Sequence, residues 1–149
     1  MLDQKQILLL NENEKKLLFN VDVVYSDLLK IDEVIKECIL HVIIKSPIEG
    51  NDLDIFYERN DIVLSMGKWT HTHPETIDEL ILNISQITED EIVIWKVTRP
   101  DGSWYSGHYN LIEWKENRAM VDEPDSYMQK GDRIERSTFN GIIEDKIFE

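Results

Sequence analysis

Cysteine is nearly missing from this chain: the 149 residues contain one, Cys38. That excludes an intramolecular disulfide framework, and a single thiol fits a reducing cytoplasm, the compartment we expect. Glycine (6) and proline (4) are scarce too, so low-complexity linkers are not expected. No apolar run approaches the roughly 18 residues of a membrane span; the longest, Cys38 to Ile44, is interrupted by His41. The opening Met-Leu-Asp-Gln-Lys-Gln lacks the basic stretch and small-residue cleavage site of a secretory signal. Bases are the last shortage. Sixteen Lys and Arg stand against 30 Asp and Glu, a formal net charge of −14. A field of that sign repels phosphate backbones, so nucleic acid is an improbable partner, and it favours a basic protein. Gly-rich phosphate loops, nucleophile elbows, Cys-x-x-Cys pairs and EF-hand patterns are all lacking, and no cofactor is expected.

What is present is an ordinary globular composition, 42% hydrophobic and 31% charged, at a length suited to one domain, residues 1–149, with a real core. From Gln6 to Val24, two apolar stretches flank Asn11-Glu12-Asn13-Glu14. A hairpin is favoured here over a helix starting near Asn13, because Val21, Val23 and Val24 are β-branched. Ser26 or Asp27 caps an expected helix in which Leu28, Ile31, Ile35, Cys38, Ile39 and Val42 recur every three or four residues, ending before Pro47. On that helix Cys38 is a small core residue and His41 borders the apolar stripe.

Leu53 to Glu58 and Asp61 to Met66 read as strands around a tight turn at Arg59-Asn60-Asp61. A second helix is expected from Pro74 to about Thr88, with Ile77, Leu80, Ile81 and Ile84 as its apolar stripe and Glu75, Asp78 and Glu79 favoured by the dipole at its start. Ile92 to Val97, the turn Pro100-Asp101-Gly102 and a return from Trp104 to Trp114 form the strongest hairpin, with Gly107 as a bulge and Ala119 to Val121 as a further short strand. Residues 122–149 carry 8 acids and 4 bases and read as an acidic segment, either a short docked element or a partly mobile tail. The expected class is α+β: a mainly antiparallel sheet of about five to six strands with two helices packed on one face.

Two constellations are candidates for function. His71 and His73 lie one residue apart, which on extended chain puts both imidazoles on one face, with Trp69. A metal would need a third ligand, for which His108, Glu75, Asp78 and Glu58 are the options; no metal site is expected. The second constellation is aromatic. Trp69, Trp104, Tyr105, Tyr109 and Trp114 crowd the hairpin region, rimmed by Glu113, Glu116, Asp122, Glu123 and Asp125, as a receptor for a basic protein would require.

Gly67-Lys68-Trp69-Thr70-His71-Thr72-His73-Pro74 resembles the metal-binding segment of the JAMM (MPN-type) zinc isopeptidases, where a glycine precedes His-x-His-Pro. The resemblance implies a metal-dependent hydrolase with His71 and His73 as ligands. The family's downstream Ser-x-x-Asp is not matched: Ile81 and Ile84 stand in its place, and Ser85 is followed three residues later by Thr88, not Asp. Asp61 to Ile84, an apolar strand, then Gly-x-Trp-x-His-x-His, then an acidic helix, resembles small acidic immunity proteins of bacterial polymorphic or contact-dependent toxin systems. That resemblance implies no catalysis. It implies stoichiometric binding to a cognate basic toxin and occlusion of its active site.

Overall fold

Leu40, Val42 and Ile44 are buried and alternate with half-buried His41 and Ile43, the two-residue repeat of a strand with one face inward. That alternation, and not the three- and four-residue spacing, is what the segment Leu40 to Ile44 follows. The computed structural model describes residues 2–19, 25–32 and 37–149. Among them are four α-helices and two antiparallel sheets, an α+β fold. The residues gather into two compact units, each built from several stretches of chain.

The first unit comprises Met1–Lys45, Asp52–Ser65 and His71–Ser85. Helices α1 (Gln4–Leu8) and α2 (Glu12–Phe19) precede strands β1 (Tyr25–Asp32), β2 (Glu37–Ile44), β3 (Leu53–Glu58) and β4 (Asp61–Met66), adjacent in that order, with the three-residue β5 (Thr70–Thr72) after β4. Register places Leu40 opposite Tyr57, Val42 opposite Ile55 and Ile44 opposite Leu53. All six are buried, so each cross-strand pair joins two core residues. His41 faces the other way, stacked on Phe56 with ring centroids 4.3 Å apart and bonded through Nε2 to Asp54 at 2.6 Å. Helix α3 (Ile77–Thr88) buries Ile77, Leu80 and Ile84.

The second unit comprises Ser46–Asn51, Met66–Thr70 and Gln86–Glu149. Its sheet runs β7 (Trp104–Asn110), β6 (Ile92–Thr98), β8 (Arg133–Ser137), β9 (Ile142–Ile147). Strand β6 buries Ile92, Val93, Ile94, Trp95 and Val97, the near-continuous apolar run of a strand covered on both faces. Helix α4 (Leu111–Glu116) and two short 3-10 turns, Arg118–Met120 and Pro124–Ser126, lie between β7 and β8. The loop Ser46–Asn51 is held to the β8–β9 corner. Buried Asn51 donates to Ser137 Oγ at 2.8 Å and to the Thr138 carbonyl at 3.0 Å, and Ser46 Oγ donates to the Phe139 carbonyl.

Several expectations are corrected. Among the described residues two sheets replace the single one of five to six strands, and four α-helices replace two. The hairpin expected over Gln6 to Val24 is a pair of helices as far as Phe19; Val21, Val23 and Val24 lie outside the described residues. The helix expected from Ser26 to Pro47 is the β1–β2 pair, because β-branched residues and cross-strand partners decide where spacing alone is ambiguous. Helix α3 begins at Ile77, not Pro74, and the strand returning from Trp104 stops at Asn110, whose side chain caps α4 by accepting from the Ile112 and Glu113 N–H groups. Ala119 and Met120 lie in a 3-10 turn. The segment 122–149 contributes both β8 and β9. Both strand pairs flanking tight turns, β3–β4 and β6–β7, stand as expected.

Asn11-Glu12-Asn13-Glu14 is a capping box. The Glu14 N–H donates to Asn11 Oδ1 and the Asn11 N–H to Glu14 Oε1, both at 2.9 Å. The Glu14 side chain is fully buried and receives Arg59 from the β3–β4 turn, Nη2 to Oε1 at 3.0 Å and Nε to Oε2 at 3.2 Å. A buried carboxylate stripped of its guanidinium is costly. Arg59→Ala should therefore destabilise the fold by about 3 kcal/mol, read by urea denaturation, although Arg59 itself fills little core.

Candidate partner-binding surface

Alternation along β7 divides the aromatic residues that the sequence placed together. Tyr105, Gly107 and Tyr109 face the core built on Val93, Trp95, Val97 and Ile134, with Trp114 packed beside it. Trp104, Ser106 and His108 face the opposite side. There Ser106 Oγ donates to the Trp69 carbonyl, and His108 Nδ1 lies 2.9 Å from Thr70 Oγ1. Seven residues of strand span roughly 20 Å, so Trp104 and the α4 residue Trp114 sit at opposite ends of β7 as well as on opposite faces. A single platform is ruled out.

On the core face the aromatics are structural. Tyr109 is buried and stacks on Trp114 at 6.3 Å, and Trp114 Nε1 donates to Glu123 Oε2 at 2.7 Å. Trp95 Nε1 donates to the Asp122 carbonyl at 3.2 Å and its ring lies over Gly107. A Cβ at position 107 would stand 2.6 Å from Trp95 Cζ2, and the β6–β7 register runs through Gly107 unbroken. The glycine admits an indole; it is not a bulge.

On the other face Lys96 lies 3.6 Å from the centroid of Trp69 and 5.5 Å from that of Trp104, while the two indoles meet edge to face at 5.4 Å. The ammonium meets π-faces instead of a carboxylate. Trp104 is half exposed. Beside this cluster Trp69, Lys96, Ile142, Asn51, Glu135 and Asp145 help to line a shallow cleft of 170 Å³. The close turn that carries Trp69 requires Gly67: its φ is +63°, and a Cβ there would fall 2.2 Å from the Gly50 carbonyl oxygen.

The acidic rim splits in the same manner. Glu123 and Asp125 are occupied by Arg118, each at 2.9 Å, and Asp125 also takes Arg136 at 2.6 Å. Arg136 continues to Glu144, and Arg133 forks onto both oxygens of Asp145 at 2.8 and 2.9 Å. That fork holds the Asp145 carboxyl below the usual carboxylate range. Glu113 and Glu116, by contrast, are exposed on α4 with no ion pair among the described residues, next to Ile112, which is also exposed. Asp122 is exposed as well. Of the ten residues expected to meet a partner, then, Trp104, Glu113, Glu116 and Asp122 present themselves to solvent. Trp69 is half-buried in its cluster, Tyr105, Tyr109 and Trp114 line the core, and Glu123 and Asp125 are held by arginines. Lys96 and Ile112 are the residues that sequence reasoning missed. A signal for Lys96 exists: it is the one charged residue inside the apolar run Ile92 to Val97.

His71 and His73 do turn toward one another, with ring centroids 5.2 Å apart, and His73 Nδ1 lies 3.3 Å from Asp61 Oδ1. They belong to the first unit and His108 to the second. Among the described residues no group of three His, Cys, Asp or Glu side chains is close enough to share a metal ion. No helix among them is long and apolar enough to cross a membrane.

Comparison of the chain with protein families, curated proteins and solved structures returns no significant match.

Two outcomes follow from the core face. Gly107→Ala drives a methyl into the Trp95 ring and should destabilise the protein by about 2 kcal/mol in chemical denaturation. Burial raises the Tyr109 hydroxyl above its ordinary value of 10.0. The neutral phenol is thus favoured in the fold, a contribution complete below pH 10.0 and lost as pH climbs through the raised value. Tyr109→Phe should flatten the fall in thermal stability above that pH, measured by circular dichroism.

Proposed function

We propose that this protein is a non-catalytic binding protein that neutralises a basic protein partner, acting as the immunity protein of a bacterial toxin system by covering the toxin's active site. The observation that carries the reading is how the charge is distributed. Arg59, Arg118, Arg133 and Arg136 are all engaged by carboxylates of the same chain. Glu113 and Glu116 on α4 have no such counter-ion among the described residues, within a chain of net charge −14. Helix α4 is fixed by its Asn110 cap and by Trp114 beneath it, so Ile112, Glu116 and Glu113 lie along one exposed side of the helix as a preorganised contact of one apolar residue and two carboxylates. A basic nuclease is the natural complement: opposite fields steer the encounter and penalise wrong partners. Such a protein acts in the cytoplasm, where its toxin would otherwise reach its target. The hydrolase suggested by His71 and His73 has two imidazoles but no third ligand among the described residues.

The test is genetic and then kinetic. A gene adjacent to this one should encode a basic domain that arrests growth, and co-expression of this protein should rescue it. The charge-reversed pair Glu113→Lys and Glu116→Lys should slow association at least tenfold at low salt while leaving the melting temperature unchanged. No basic-domain neighbour, or no rescue, sinks the proposal.

A further inference from the structure

Strand β9 is an edge of the second sheet, and it is apolar where it should be shielded. Ile142, Ile143 and Ile147 are 69%, 56% and 62% exposed, and the following Phe148 is 43% exposed. Natural edge strands are blunted by proline, by charged side chains, by β-bulges or by a covering element. Strand β9 contains no proline; its charges are tied within the chain, Glu144 to Arg136, Asp145 to Arg133 and Lys146 to Glu144, and the one irregularity in its pairing with β8 lies at its first residues, opposite Arg136 and Ser137.

The backbone of the edge is available. Phe148 donates its N–H to the Asp132 carbonyl, and its own carbonyl accepts from Gly131, both at 2.7 Å, so its polar groups point toward β8. Successive residues of a strand point alternately to either side in the plane of the sheet. The N–H and C=O groups of Asp145 and Ile147 therefore point outward, away from β8.

We propose that β9 pairs antiparallel with β9 of a second copy of this chain, about a twofold axis at Asp145, joining two four-stranded sheets into one of eight strands. The sequence of the edge is self-complementary about that residue and about no other within the strand. With Asp145 opposite Asp145, Glu144 meets Lys146 and Ile143 meets Ile147, the pairing ending where the β8–β9 register shifts at Ile143. Moving the axis to Glu144 sets Ile143 against Asp145; moving it to Lys146 sets Ile147 against Asp145 and Phe148 against Glu144. A twofold interface demands that residue i meet j while j meets i, and an edge evolved for an unrelated strand has no need of such symmetry. Outward backbone groups at Asp145 make the central pair a hydrogen-bonded one. The like charges there are each held by their own Arg133 fork, which balances them within each copy. The surface is distinct from α4, so a dimer leaves the acidic contact of each copy open.

Sedimentation velocity of the purified full chain at tens of micromolar should give twice its 17.6 kDa mass. Ile147→Lys, which places a lysine against Ile143 of the other copy, should return the monomer with unchanged far-ultraviolet circular dichroism. Register is read by crosslinking. Asp145→Cys in a Cys38→Ser chain should form an intermolecular disulfide on mild oxidation, since directly opposed residues stand roughly 5.5 Å apart at Cα, within disulfide reach. A wild-type chain that sediments as a monomer at these concentrations overturns the proposal. So does a dimer that Ile147→Lys leaves intact, and so does a dimer in which the Asp145→Cys chain fails to crosslink.

Discussion

The second unit depends on an indole occupying the space of a missing side chain. Trp95 lies over Gly107, meets Tyr105 edge to face at 5.8 Å and donates to the Asp122 carbonyl. One side chain on the central strand thereby fixes three things: the approach of β7, the stacking of the aromatic layer and the path of the segment after α4. Close packing explains why so much follows from it, because an interior at crystal-like density leaves a ring of that size only one place to lie. Tyr109, Trp114 and Glu123 follow in sequence from that placement, and the Asn110 cap sets α4 at the end of the strand they stabilise.

Much of the basic charge in this protein is engaged within the chain. Arg59, Arg118, Arg133 and Arg136 hold internal carboxylates, and the planar fork makes two bonds at once where Arg133 meets Asp145 and Arg59 meets Glu14, while Arg99 lies over the Tyr105 ring. Lys96 is set between tryptophans. The acidic excess is consequently borne by residues such as Glu113 and Glu116, which have no ion pair among the described residues. An acidic surface arranged in this way differs from a uniformly solvated one: its paired carboxylates shape the fold, and the others are open to a partner.

Strands bounded by tight turns are legible in the sequence because both of their signals are local. Arg59-Asn60 and Pro100-Asp101-Gly102 specify turns by their own chemistry, and β6 is β-branched or aromatic along its apolar run. Residues 26–46 mislead because Leu28, Ile31, Ile35 and Cys38 satisfy a helical repeat while Leu40, Val42 and Ile44 satisfy a strand repeat. Only the facing residues Tyr57, Ile55 and Leu53 decide between the two, and no window of local sequence contains them. At Asn11 to Glu14 the same polar residues suit a turn, although Asn-x-x-Glu is also the signature of a helix start. In the candidate site, the identity of the aromatic and acidic residues is legible but their grouping is not. Alternation assigns Trp104 and Tyr105 to different faces as soon as the strand is accepted, whereas the engagement of Asp125 depends on Arg136, which lies on a strand the sequence does not announce.

The order of strands in the second sheet has a consequence in time. Strand β8 lies between β6 and β9, and the buried Asn51 finds its partners at Ser137 and Thr138. On the ribosome, Asn51 and β6 are made well before any of these residues exist. The amide of Asn51 and one edge of β6 must therefore stay hydrated, or be held by a chaperone, until the chain has been extended through β8. The second unit closes only when its late strands arrive, even though most of its core is synthesised early.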